Sequence, residues 1–98
     1  MAFTFVATGE SPDGSRQVFA IENNGQIQTR YDQTTGEGTG WTAWANFATP
    51  TGGVTSLCVG NLPDKRMQLF ATDKSGNTYS CWKVSTASNA LFTSWTAF

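Results

Sequence analysis

The residues of this chain best suited to chemistry are flat rings with polar neighbours: Trp41, Trp44, Trp82 and Trp95, Tyr31 and Tyr79, accompanied by Gln28, Arg30 and Asn46. An aromatic face stacks on the apolar side of a ring-shaped ligand such as a sugar, while amide and guanidinium groups hold its hydroxyls. That is recognition, with no bond made or broken. Bond-making has little to work with here: there is no histidine, no serine or cysteine has an evident base, and the seven carboxylates lie mostly in or beside turns. A glycosidase would need two of those carboxylates brought together across chains. The expectation is therefore no enzyme and no cofactor. Cys58 and Cys81, without histidine, are a poor metal-binding set. Asp73, Ser75 and Gly76 lack the further spaced carboxylates of a calcium loop and read as a turn.

The elements that must position these rings occur twice. Val18-Phe19-Ala20, Gly25 and the Trp41–Phe47 segment recur as Leu69-Phe70-Ala71, Gly76 and Phe92–Phe98, at a constant offset of 51 residues without a gap. Identical pairs include Gly9/Gly60, Pro12/Pro63, Asp13/Asp64, Gln17/Gln68, Phe19/Phe70, Thr42/Thr93, Trp44/Trp95 and Phe47/Phe98. Tyr31/Trp82 and Trp41/Phe92 are similar pairs. Residues 1–47 form one repeat, 48–53 a short linker and 54–98 a second repeat. A period near 50 residues is the mark of solenoids, propellers or arrays.

Each repeat reads as four short strands without helical periodicity. The first are Phe3–Thr8 and Val54–Val59, apolar on nearly every residue, as in a strand covered on both faces. A Pro-Asp turn follows in both copies, with proline presetting φ and aspartate bonding its downstream backbone. The second strands are Gln17–Ile21 and Gln68–Thr72, closed by Glu22–Gly25 and Asp73–Gly76 with glycine where φ must be positive. The third strands, Gln26–Asp32 and Asn77–Val84, alternate: Ile27, Thr29 and Tyr31 share one face, Gln28 and Arg30 the other. Loops over 33–40 and 85–90 lead to closing strands Trp41–Phe47 and Phe92–Phe98. Cys58 and Cys81 fall on first and third strands of one sheet, about two strand spacings of ~4.8 Å apart, too far for a disulfide. They are expected as free, largely buried thiols.

The 98 residues carry a net charge of −1 with only 13% charged residues, and the six cations are scattered apart from Lys65-Arg66 in a turn. Neither nucleic acid nor an anionic membrane surface is implied as a partner. No segment approaches the ~20 apolar residues of a membrane helix, so membrane insertion is not expected. Met1–Val6 has neither the basic segment nor the long apolar stretch of a secretion signal, so none is expected. The expected route is cytoplasmic synthesis with any release non-classical, and the location is otherwise unknown.

A four-stranded antiparallel sheet apolar on both faces has to be sandwiched between sheets like itself, the condition of a propeller blade. The expected fold is all-β: two four-stranded blades per chain, completed to a closed β-propeller by head-to-tail homo-oligomerisation. Three chains making six blades is the expected ring, with four chains making eight the alternative.

The pattern Thr55–Gly60, Leu69–Asp73, Gly76–Trp82 and Trp95–Phe98 resembles the repeat of the bacterial PLL-like β-propeller lectins, and more loosely that of the tectonin-related lectins. The likeness covers the whole chain in both copies. It implies a carbohydrate-binding lectin that takes fucose or O-methylated sugars in pockets between adjacent blades, multivalent through the ring. Two-blade fucose lectins of the Aleuria type share the oligomeric logic, but their Arg and Glu ligands have no counterpart around Gln17 and Gln28-Thr29, and that site is not carried over. The alternative is a purely structural ring, natural or engineered, whose rings are all core.

Overall fold

The computed structural model describes residues 2–32 and 40–98. Within them the chain forms two four-stranded antiparallel sheets, with no helix among the described residues. Sheet 1 holds β1 (Phe3–Glu10), β2 (Arg16–Glu22), β3 (Ile27–Tyr31) and β4 (Ala45–Asn46). Sheet 2 holds β5 (Ser56–Asn61), β6 (Met67–Thr72), β7 (Thr78–Trp82) and β8 (Thr96–Ala97), and in both the spatial order follows the chain. The sheets therefore coincide with the two repeats. Residues 33–39, most of the first expected loop and with it Glu37, lie outside the described residues.

The turns form for the reasons their residues give. Gly25 and Gly76 have φ of 88° and 86°, and each donates its amide to the acidic residue that opens the turn, Glu22 and Asp73. That conformation costs a glycine nothing and most side chains 1–2 kcal/mol or so. At the Pro-Asp turns, Asp13 Oδ1 accepts from the Ser15 amide at 2.9 Å and Asp64 Oδ1 from the Arg66 amide at 3.3 Å. The residue after each aspartate has positive φ, Gly14 in one copy and Lys65 in the other.

The closing strands are shorter than their sequence suggests. Trp41 bridges Asp32 and Phe92 bridges Lys83, but regular pairing resumes only at Ala45 and Thr96. Four steps along the closing segment match three along its neighbour, so one extra residue interrupts the ladder. The hydroxyls of Thr42 and Thr93 fill the break, accepting the amides of Tyr31 at 3.1 Å and Trp82 at 3.2 Å. That local role accounts for the Thr42/Thr93 identity between the repeats.

Strand register decides which side chains share a face. Ala7 pairs with Phe19 and Ile21 with Ile27, so these apolar residues lie together on one face of sheet 1. Leu57 pairs with Ala71 and Leu69 with Cys81 on one face of sheet 2. The two faces meet in a single core of Phe19, Ile21, Ile27, Val54, Leu57, Met67, Leu69, Ala71 and Cys81, with Phe47, Phe92 and Trp95 against it. Each large side chain so buried contributes about 1.5–3 kcal/mol. Close approach is helped by Gly9, where a Cβ would stand 2.6 Å from Met67 Sδ and 2.8 Å from Val59 Cγ1.

The other face of each sheet is open. Val6 is 62% exposed and Phe98 78% exposed, so within the single chain β1 is covered on one side. Cys81 lies in the core, but Cys58 pairs with Phe70 on the opposite face of sheet 2 and is exposed. The expectation of two buried thiols is corrected for Cys58: successive positions of a strand face opposite ways, and its side chain points away from the face that packs on sheet 1.

Candidate functional site

At one end of the junction the two sheets part around a cleft of about 680 Å³. Sheet 1 supplies the β1–β2 turn (Ser11, Asp13, Ser15), the start of β2 (Arg16, Gln17), the end of β3 (Tyr31, Asp32) and Phe47-Ala48. Sheet 2 supplies Lys83, the 88–93 segment and Trp95. One wall is thus the rim of a turn and the other the loop that enters the closing strand.

The floor is aromatic. Phe47 and Phe92 meet edge to face at 5.1 Å, Phe19 and Phe92 at 6.1 Å, and Phe47 and Trp95 at 6.4 Å. The indole of Trp95 is fixed from sheet 1, its Nε1–H donating to the Ala48 carbonyl at 2.7 Å. Tyr31 stands at the mouth, 49% exposed.

The walls are polar and ordered. Gln17 Nε2 donates to Thr29 Oγ1 at 2.9 Å, a bond repeated by Gln68 and Ser80 at 3.0 Å. Arg16 Nη2 pairs with the buried carboxylate of Asp32 at 3.2 Å and lies 5.5 Å from the Trp41 ring. Asp13 is held below the ordinary carboxylate range by the hydroxyl and amide of Ser15, the Ser88 hydroxyl adding to them. Lys83, 3% exposed, donates from Nζ to the Ser88 carbonyl at 2.7 Å and sits 5.6 Å from the Phe92 ring. Burial pulls its pKa down, and the charge of Asp13 across the cleft works against that.

The nine residues singled out from the sequence are distributed rather than gathered. Tyr31 and Trp95 line the cleft, and Trp41 lies just outside it beneath Arg16. Trp44 and Arg30 are on the open face of sheet 1, with Trp44 packed on Phe3 at 4.8 Å and Arg30 5.2 Å over its ring. Gln28 donates to Asn46 and to Glu22, so both amides are engaged within sheet 1. Trp82 pairs with Gln68 on the open face of sheet 2, and the Tyr79 hydroxyl donates to Asp73 at 3.3 Å.

Sequence reasoning passed over Asp13, Ser15, Arg16, Asp32, Lys83 and Ser88. One signal was available: Asp32 and Lys83 occupy the same position of the two repeats with opposite charge, and Arg16 is matched by Met67. A charge reversal at a strand end within an otherwise matched repeat marks a place where the two sheets differ in what they hold. Among the described residues no three His, Cys, Asp or Glu side chains cluster as metal ligands. What the cleft can do is stack an apolar ring surface on its floor and hydrogen-bond hydroxyls or an anion at its walls. Compared with models of protein families and with curated proteins, the chain matches none.

Proposed function

We propose that this chain is a lectin: it binds a sugar in the cleft between its sheets, and it assembles through its open faces into a homo-oligomeric propeller ring. The observation that carries the reading is the cleft itself, at about 680 Å³ within the ~300–1,000 Å³ range of small-ligand sites, with an aromatic floor and donors and acceptors on both walls. The resemblance noted above adds fucose or O-methylated sugars as the first ligands to try. One such site is weak, and a ring that presents several on one face gains avidity without new contacts.

Assembly is supported by the repeat. The face of sheet 2 that carries Phe70 and Phe98 is the counterpart of the sheet 1 face that carries Phe19 and Phe47, and it is uncovered. The open face of sheet 1 carries Trp44, counterpart of Trp95. A second copy that docks its sheet 1 on this sheet 2 repeats the packing within the chain, and three chains would close six blades.

The test is a glycan array followed by calorimetry on Tyr31→Ala. Binding confined to one class of terminal sugar, weakened about ten-fold or more by Tyr31→Ala with an unchanged melting temperature, is the expected result. Silence across the array refutes the lectin and leaves the structural ring, a reading favoured by the edge-to-face packing of Phe47, Phe92 and Trp95 on one another.

A further inference from the structure

We infer that the sugar taken by the cleft within the chain carries a carboxylate, and that Lys83 is the residue that receives it. The inference rests on the lectin reading and names the ligand class of the same site. Its starting point is a buried cation that forms no ion pair among the described residues, the charge of Asp13 reaching it only across the cleft. Among the described residues the ion pairs are Arg16–Asp32 and Arg66–Asp64, and Lys83 belongs to neither. Among the described residues its ammonium makes one hydrogen bond, to the Ser88 carbonyl, which occupies one of its three protons.

The repeat shows what is missing. In sheet 1 the position of Lys83 is held by Asp32, and the charge that Asp32 needs comes from Arg16 on the neighbouring strand. In sheet 2 the charge is reversed at Lys83, yet the counterpart of Arg16 is Met67, which is fully buried and carries no charge. An acidic residue there would have completed the pair. Removing an ammonium from water without a partner is costly, and such groups are retained where something else supplies the opposite charge. Asp13 faces Lys83 across the cleft and acts on it electrostatically, but its carboxylate is engaged by Ser15 and stays beyond ion-pair distance.

The geometry leaves room for the anion on the ligand. Lys83 lines the cleft from the sheet 2 side, beside the Phe92 ring of its floor. A ligand carboxylate accepts from the Lys83 ammonium, and charge-assisted bonds of this kind are about twice as strong as neutral ones. The aromatic floor then takes the apolar side of the same sugar ring. A methyl ether and a carboxylate can sit on one ring, so the inference is compatible with an O-methylated ligand.

The experiment is calorimetry on the full chain with methyl glucuronide and methyl galacturonide, each against its neutral counterpart, methyl glucoside and methyl galactoside. At least one uronide should bind about ten-fold or more tightly than its neutral partner, and in Lys83→Met that ratio should collapse to about one. Lys83→Met should melt no lower than the parent, because it removes a buried unpaired charge. A readout that needs no variant is the ¹³C shift of Lys83 Cε, one of three lysines in the chain, which should move with the uronide and stay with the neutral glycoside. Equal binding of acid and neutral sugars overturns the inference and leaves the lectin standing. A preference that survives in Lys83→Met, a Cε shift that stays put, or no binding of either uronide also overturns it. The lectin itself is judged separately by the array.

Discussion

The junction inside the chain and the two faces left open are built from the same repeat, and they differ in a consistent way. Where the junction has Ile21 and Ile27, the open face of sheet 2 has Thr72 and Thr78; where it has Met67, Leu69 and Cys81, the open face of sheet 1 has Arg16, Val18 and Arg30. The large rings are kept on both: Phe19 and Phe47 inside answer to Phe70 and Phe98 outside, and Phe92 and Trp95 to Trp41 and Trp44. Aliphatic side chains are exchanged for polar ones while aromatic anchors remain. That is the compositional difference between a protein core and a face that meets water, and the retained rings are what the proposed ring assembly would use as its contacts.

Phe47 and Phe98 are the sharpest way to break this comparison. Phe47→Ala should cost the single chain about 3 kcal/mol, since the ring meets Phe19, Phe92 and Trp95. Phe98→Ala should leave chain stability within about 0.5 kcal/mol but shift the oligomer to monomer in sedimentation. Equal melting losses without dissociation would mean the outer face is never covered. The glycines separate the faces with a smaller effect. Gly9→Ala pushes a Cβ onto Met67 and Val59 and should cost about 1–3 kcal/mol in denaturant titrations, whereas Gly60→Ala meets only Phe70, at 3.7 Å, and should be close to neutral in the chain. The smallest effect is chemical. Cys58 should react with a maleimide in the dispersed chain and become protected on assembly; Cys81, whose thiol burial pushes up to about 12, should stay unlabelled until the chain unfolds.

Much of the architecture was readable because it is local. Pro12-Asp13, Gly25 and Gly76 place turns through their own φ preferences and side-chain bonds. The alternation of Ile27, Thr29 and Tyr31 against Gln28 and Arg30 assigns the faces of β3, as its register bears out. The closing strands misled, because Trp41–Phe47 and Phe92–Phe98 are rich in strand-forming residues while the extra residue near Thr42 and Thr93 is a matter of pairing with a neighbour. The candidate site was less legible. Rings can be counted in a sequence, but of the rings named there only Tyr31 and Trp95 reach the cleft.

The sequence by itself determined the two-fold repeat, the order of strands and turns, and the side-chain face of each core strand, because those follow from spacing and from the conformations single residues allow. Only the tertiary structure decided which face of each sheet is covered, since both faces of both sheets carry large rings and either could have been chosen. Only it set Lys83 at the wall of a cleft opposite the turn of Asp13, residues far apart in the chain. The physical reason is that strand pairing is dictated by neighbours in sequence, whereas the docking of one sheet on another is settled by which pair of surfaces fits closest. Here that fit is the one Gly9 permits against Met67 and Val59.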